Sequence, residues 1–192
     1  LYARRRMDLY GATSEDFAQV KVKNARHGLS NPHARFRKEA TVADVLASPV
    51  VCDPLHLLDI CATSDGAAAV VLVSAAYAER MGLAGPVRVA AVSTVTPTFP
   101  NTVMDMPMLS TDPSAATGES EHTFKESIGL AAYEEAGISP EDVDVAEVYD
   151  LSTALELDWI EDLGLCKQGE AEALLRAGET TIGGRIPVNP SG

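Results

Sequence analysis

Apolar residues along this chain gather in short runs set between capping and turn residues, and the runs predict an α/β protein with more helix than strand. The clearest β signal is Ala67–Val73, an unbroken apolar run after the turn pair Asp65-Gly66, which reads as a buried strand. Val143–Val148 is a second short strand, entered through Ser139-Pro140-Glu141-Asp142, and both runs are expected as central strands of two related sheets. Val87–Thr96, rich in Val and Thr, is β-like. Helices are announced by their ends. Leu1–Gly11 reads as a helix stopped by Gly11, and Thr13–Ala25 as one capped by Thr13 with acids in its first turn. Thr41 caps a short helix to Ala47, ended by Ser48-Pro49, and Ser74 caps one closed by Gly82. Phe124–Ala136, Ser152–Leu163 and Gly169–Ala177 complete the helices, and Thr180–Ile186 is a short strand or hairpin. Gly28–Lys38 is polar and loop-like, and Asp53-Pro54 turns into an extended piece ending at Leu58.

Between the two halves, Thr96–Gly118 carries Pro97, Pro100, Pro107 and Pro113 with Met104, Met106 and Met108. Irregular segments of this length are functional or linking. They divide the chain into residues 1–95 and 96–192. The turn-rich ending Gly183–Gly192, without a closing helix or strand, reads as part of a larger unit.

Bulk properties narrow the partners. An apolar fraction of 46% supports a proper core, and a net charge of −13 argues against DNA, RNA or an anionic membrane as partner. Positive charge collects in Arg4–Arg6 and Lys21–Lys38, which leaves room for a phosphorylated ligand or for a plain solvated surface. Cys52, Cys61 and Cys166 show no CxxC spacing, so the chain is expected in a reducing cytoplasmic compartment without zinc. The sequence holds no G-x-S-x-G, Walker A or G-x-G-x-x-G motif.

Four blocks carry a family resemblance: YGATSEDFAQVKVKNARHGLSNPHARF, SPVVCDPLHLLDICATSDGAAAVVL, EEAGISPEDVDVAEVYD and GGRIPVNPSG. In order and spacing they resemble the thiolase superfamily, in its sterol-carrier or lipid-transfer branch, and within it the steroid side-chain aldolases of actinobacteria. The resemblance implies a layered αβαβα fold that dimerises. This chain would supply the end of the first half and the start of the second. It also implies an acyl-CoA substrate, with CoA brought by the substrate rather than held as a cofactor, and a DUF35 partner of OB-fold and zinc-ribbon type.

One departure directs the chemistry. Branch thiolases carry a His-Asp-Cys-Phe-like block where this chain reads Tyr149-Asp150-Leu151-Ser152. A tyrosine can hydrogen-bond an oxyanion, but its pKa near ~10 changes its acid–base role. The departure favours retro-aldol cleavage of a β-hydroxyacyl-CoA steroid side chain into a ketosteroid and propionyl-CoA. An acyltransferase of the lipid-transfer type and a non-catalytic acyl-CoA-binding scaffold are the alternatives. The expected catalytic residues are Tyr149 and Asp150. Tyr149 could instead be a packing residue. Asp150 could orient Tyr149 or a backbone amide, or cap the following helix. Cys61 falls where the family places a small polar residue near the pantetheine, and is otherwise a small hydrophobe. Arg35, Arg37 and Lys38 could meet the CoA phosphates or form a surface cluster.

Overall fold

The structure, a computed structural model, describes residues 2–95 and 124–192. The Pro- and Met-rich segment and the boundary expected at its start fall outside those residues or at their edge. Seven helices occur among them: α1 (Tyr2–Tyr10), α2 (Ser14–Gly28), α3 (Val42–Leu46), α4 (Ala75–Arg80), α5 (Phe124–Ala136), α6 (Thr153–Asp162) and α7 (Ala171–Arg176). One hairpin pairs β1 (Val50–Cys52) with β2 (Leu55–His56), antiparallel, and a 3-10 turn at Leu57–Asp59 follows it.

Local chemistry accounts for the starts of α2, α3 and α4. Thr13 accepts from the Asp16 amide while the Asp16 carboxylate takes the Thr13 N–H, a reciprocal cap. Thr41 with Asp44 repeats this at α3, and Ser139 with Asp142 at the 3-10 turn before the expected second strand. Gly11, Gly82 and Gly137 end α1, α4 and α5 with φ of +69°, +61° and +69°, a region that glycine enters without a Cβ penalty.

The core lies where α1 and α2 pack on α6 and α7. Phe17, Val20, Leu157, Ile160, Ile186 and Val188 are its largest fully buried apolar members. Arg6 of α1 is driven into this packing and donates to Glu161, Glu172 and Asp158, clamping α1 to α6 and α7. Burial alone would ease its proton off, but the Glu161 and Glu172 hydrogen bonds outweigh it and push the guanidinium pKa up. On the far side of the core, the Arg176 guanidinium at the end of α7 pairs with Asp16 of α2 at 2.5 Å.

The expected strands are corrected. Ala67–Val73 enters no ladder and its side chains are exposed, Val71 by 88%. The described part of Val87–Thr96 also lacks a ladder, with Val87 exposed by 95%. Val143–Val148 makes one parallel bridge, between Ala146 and Val188, in place of a central strand. Thr180–Ile186 forms turns rather than a strand, closed by Ile186 N–H to the Glu179 carbonyl. A strand satisfies its backbone only through a neighbour: among the described residues Ala67–Val73 and residues 87–95 pair with none, while Val143–Val148 has only the short contact with Pro187–Asn189. The helices, which bond within themselves, appear close to where the sequence places them.

Candidate functional site

A cavity of about 790 Å³ opens between the C-terminal half of α2, the loop after it, and the end of the Val143–Val148 segment. Lys21 and Asn24 of α2 form one wall, Arg35, Phe36 and Lys38 of the loop another, and Cys61 with Asp150 the floor toward α6. Two backbone contacts bring the floor together. Ile60 bridges Ser152 antiparallel, and the Cys61 N–H donates to the Leu151 carbonyl at 3.0 Å. Below, Thr153 at the start of α6 donates to Asp59 of the 3-10 turn at 3.2 Å, and Tyr2 shares a 2.7 Å hydrogen bond with Ser152. The segment that ends in Tyr149 and Asp150 is thereby seated against the turn that carries Cys61.

The structure treats the expected site residues unequally. Asp150 lines the cavity, half-buried, and accepts a hydrogen bond from Asn24 Nδ2 at 3.1 Å. Burial pushes its carboxyl above the usual range, against the hydrogen bonds of its own N–H and Asn24 and the charges of Lys21 and Lys23. Cys61 is exposed at the cavity floor. Arg35 and Lys38 also line it, and the Arg35 guanidinium donates to the Thr63 carbonyl and lies 5.0 Å from the Phe36 ring centroid. Arg37 is exposed and is not part of the wall. Tyr149 is 64% exposed and lies beside the floor, outside the lining.

Sequence reasoning missed the polar layer beneath. Lys23 and Asn24 are buried on the same face of α2 as Phe17 and Val20, and Glu156 is fully buried on α6. Glu156 Oε2 accepts from Asn24 and Asn189 at 2.7 and 2.8 Å. Its Oε1 lies 3.0 Å from Lys23 Nζ, an ion pair without hydrogen-bond alignment. Burial pushes the Glu156 carboxyl up and the Lys23 ammonium down, and each partner's charge opposes that. The available signal was helical spacing: positions 17, 20, 24 and 27 share one face, and its last members are polar. Among the described residues no group of three His, Cys, Asp or Glu could hold a metal ion, and no helix is long and apolar enough to cross a membrane.

This architecture is thiolase-like. Residues 114–192 match the family described as "Thiolase C-terminal domain-like". The benzoylsuccinyl-CoA thiolase subunit BbsB of Thauera aromatica is 39% identical over 190 residues, covering 99% of this chain and 46% of that protein. Sterol carrier protein 2 of Bos taurus is 36% identical, over 98% of this chain and 33% of its own length. A steroid side-chain-cleaving aldolase of Thermomonospora curvata is 37% identical, over 100% of this chain and 47% of its own. A solved structure described as "Ltp2-ChsH2(DUF35) aldolase" superposes with a TM-score of 0.75 at 30% identity, covering 99% of this chain and 48% of that one. The chain thus spans a third to a half of the length of these relatives.

Proposed function

We propose that this chain is part of a thiolase-fold carbon–carbon lyase that cleaves a β-hydroxyacyl-CoA steroid side chain to a ketosteroid and propionyl-CoA, working with a DUF35-type partner. The observation that carries the reading is the Tyr149-Asp150 pair at the end of the Val143–Val148 segment, with Asp150 on the wall of a cavity that also presents Arg35, Lys38 and Cys61. The steroid and the partner come from the relatives' descriptions, an aldolase that cleaves steroid side chains and a DUF35 aldolase assembly.

The chemistry needs no oxidant. A base takes the proton of the β-hydroxyl, the bond between the α- and β-carbons breaks, and the hydroxyl carbon becomes the ring ketone. The electron pair passes to the α-carbon as a thioester enolate, which a proton converts to propionyl-CoA. Hydrogen-bond donors at the enolate oxygen lower that barrier. Tyr149 is the proposed proton carrier, either for the hydroxyl or for the enolate. Asp150 beside it is the proposed acid–base partner that orients it. Arg35, Lys38 and Lys21 offer cations to the CoA phosphates, and Cys61 would lie along the pantetheine. Because the Tyr149 ring is 64% exposed, the reading requires a second body over that face in the complete protein.

The test is turnover of a β-hydroxyacyl-CoA steroid by the full-length protein with its partner. Tyr149→Phe keeps the ring and removes one oxygen, and is expected to lower kcat by roughly 10²–10⁴-fold. Retention of kcat within about threefold, far short of that loss, makes Tyr149 a packing residue. A second reading, acyl transfer between CoA thioesters, is favoured by the 39% identity to a thiolase subunit. Consumption of free CoA with a β-ketoacyl-CoA, and no ketone release from the β-hydroxy compound, would establish it instead.

A further inference from the structure

Under the cavity floor, one side chain touches both the cavity and the buried ion pair. Asn24 Nδ2 donates to Asp150 at 3.1 Å and to Glu156 at 2.7 Å, and Asn24 Oδ1 accepts from Lys23 Nζ at 2.5 Å. An asparagine amide offers two N–H donors and one carbonyl oxygen, and all are used here. The orientation is therefore unique. A flipped amide would turn its oxygen onto two carboxylates and its NH₂ onto an ammonium, leaving buried groups without partners.

The base of the arrangement is rigid. Glu156 is fully buried, and Asn189 holds it from the other side at 2.8 Å. Lys23 donates to the Val188 carbonyl at 2.7 Å. Asn189 in turn accepts from the Val148 N–H at 2.7 Å through its Oδ1. Helices α2 and α6, the loop at 188–189 and the segment leading to Asp150 thus meet in one network, and Asp150 is its member on the cavity wall.

We propose that Asn24 is the positioning residue of this site, holding the Asp150 carboxylate in its cavity-wall pose and anchoring it to the buried Lys23–Glu156 pair. The inference rests on the reading of Asp150 as part of the reacting site. Its logic is electrostatic as well as geometric. Asp150 faces Lys21 and Lys23 from α2 and Glu156 from α6, and shares the cavity with Asp59, Cys61, Arg35, Lys38, Glu39 and Asp44. Without the Asn24 amide between them, Asp150 and Glu156 lose a shared donor and their like charges meet unshielded. The proton then binds Asp150 more tightly, and its carboxylate is free to turn.

The experiment is a double-mutant cycle in the full-length protein with its partner, using cleavage of a β-hydroxyacyl-CoA steroid as readout. Asn24→Ala is expected to lower kcat by about tenfold to a hundredfold, the scale of a misplaced catalytic group, with KM little changed. The acidic limb of its kcat–pH profile should move to higher pH. In the Asp150→Asn background the same change should cost almost nothing further, because the two residues act as one unit. If Asn24→Ala does not fold, Asn24→Leu keeps the volume and removes both donors without adding a charge, and the same loss and non-additivity are expected. Losses that simply add, with an unmoved acidic limb, overturn the proposal and leave Asn24 a packing residue. Full activity in Asp150→Asn overturns the reading of Asp150 itself. Full activity in Asn24→Ala beside an impaired Asp150→Asn overturns the positioning role alone.

Discussion

Two regions of this molecule end in opposite conditions, and the one richer in apolar residues is the one left open. The packing of α1, α2, α6 and α7 buries Phe17, Val20, Leu157 and Ile160 completely, and it closes even over a lysine–glutamate pair. The stretch from Cys61 to Val95 leaves Val70, Val71, Leu72 and Val87 exposed by 76–95%. Hydrophobicity tells where a residue is bound to go; it does not say which segment covers it. A helix brings its own backbone partners and needs only a second apolar surface. A strand needs a neighbour for its backbone and, where it is apolar on both faces, a layer on each. Large contiguous apolar surfaces on a soluble chain mark sites of association. The exposed band is therefore the face on which further sheet elements are expected to lie in the complete protein.

The sharpest test of the contrast is stability. Leu157→Ala in the 192-residue chain should cost about 2–5 kcal/mol by denaturant unfolding, as core truncations do. Val71→Ala should stay within about 0.5 kcal/mol in that chain. In the full-length protein it should cost about 1.5 kcal/mol, the worth of two buried methylenes, once the band is covered. Equal losses at Leu157 and Val71 in the short chain would break the comparison.

Association is the next largest effect. Val71→Lys should reduce self-association and binding of an apolar dye by the short chain, because a charge interrupts the exposed run. In the full-length protein the same change should impair assembly. Sedimentation profiles identical to those of the unmodified short chain would mean the band is not the sticky surface.

The smallest effect concerns the pH response of the closed region. Burial alone would raise the Asp16 carboxyl, but the Arg176 and Thr13 hydrogen bonds outweigh it, and its pKa lies below the usual range. With a folded value below the unfolded one, the unfolded chain binds more protons between the two. The stabilisation is therefore full above the ordinary Asp range near ~3.9 and is lost as pH falls through the depressed value. Arg176→Ala should remove about 1 kcal/mol or less at neutral pH, since the guanidinium is half exposed, and should flatten that acid limb. An acid limb unchanged in the variant would assign it to other carboxylates.

Much of the helical frame could be read before the structure, because caps are local. Thr13, Thr41 and Ser74 begin helices at the positions their sequence context predicts, and Gly11, Gly82 and Gly137 end them. The strands were readable as apolar runs but not as ladders, since pairing depends on residues far away in sequence. The candidate site divides along the same line. Asp150 and Cys61 could be anticipated from the end of an apolar run and from family blocks. Lys23, Asn24, Glu156 and Asn189 could not be joined, because their meeting is tertiary and each resembles an ordinary polar residue alone. That Tyr149 and Arg37 lie outside the cavity lining could not be read either, because a place along the chain does not set the direction of a side chain.

The network under the cavity also sets a timetable. The Asn24–Glu156 hydrogen bond joins residues 132 apart, and the Lys23 contact with the Val188 carbonyl joins residues 165 apart. On a ribosome adding about 5–20 residues per second, α2 emerges on the order of ten seconds before its last partners exist. Through that interval the lysine and asparagine on its inner face must stay hydrated, so α2 cannot bury them early. Burying them before α6 and the loop at 188–189 arrive would leave an ammonium and an amide without these partners. The side chains that aim one carboxylate in the finished cavity thus tie its floor to the last residues of this chain to be made.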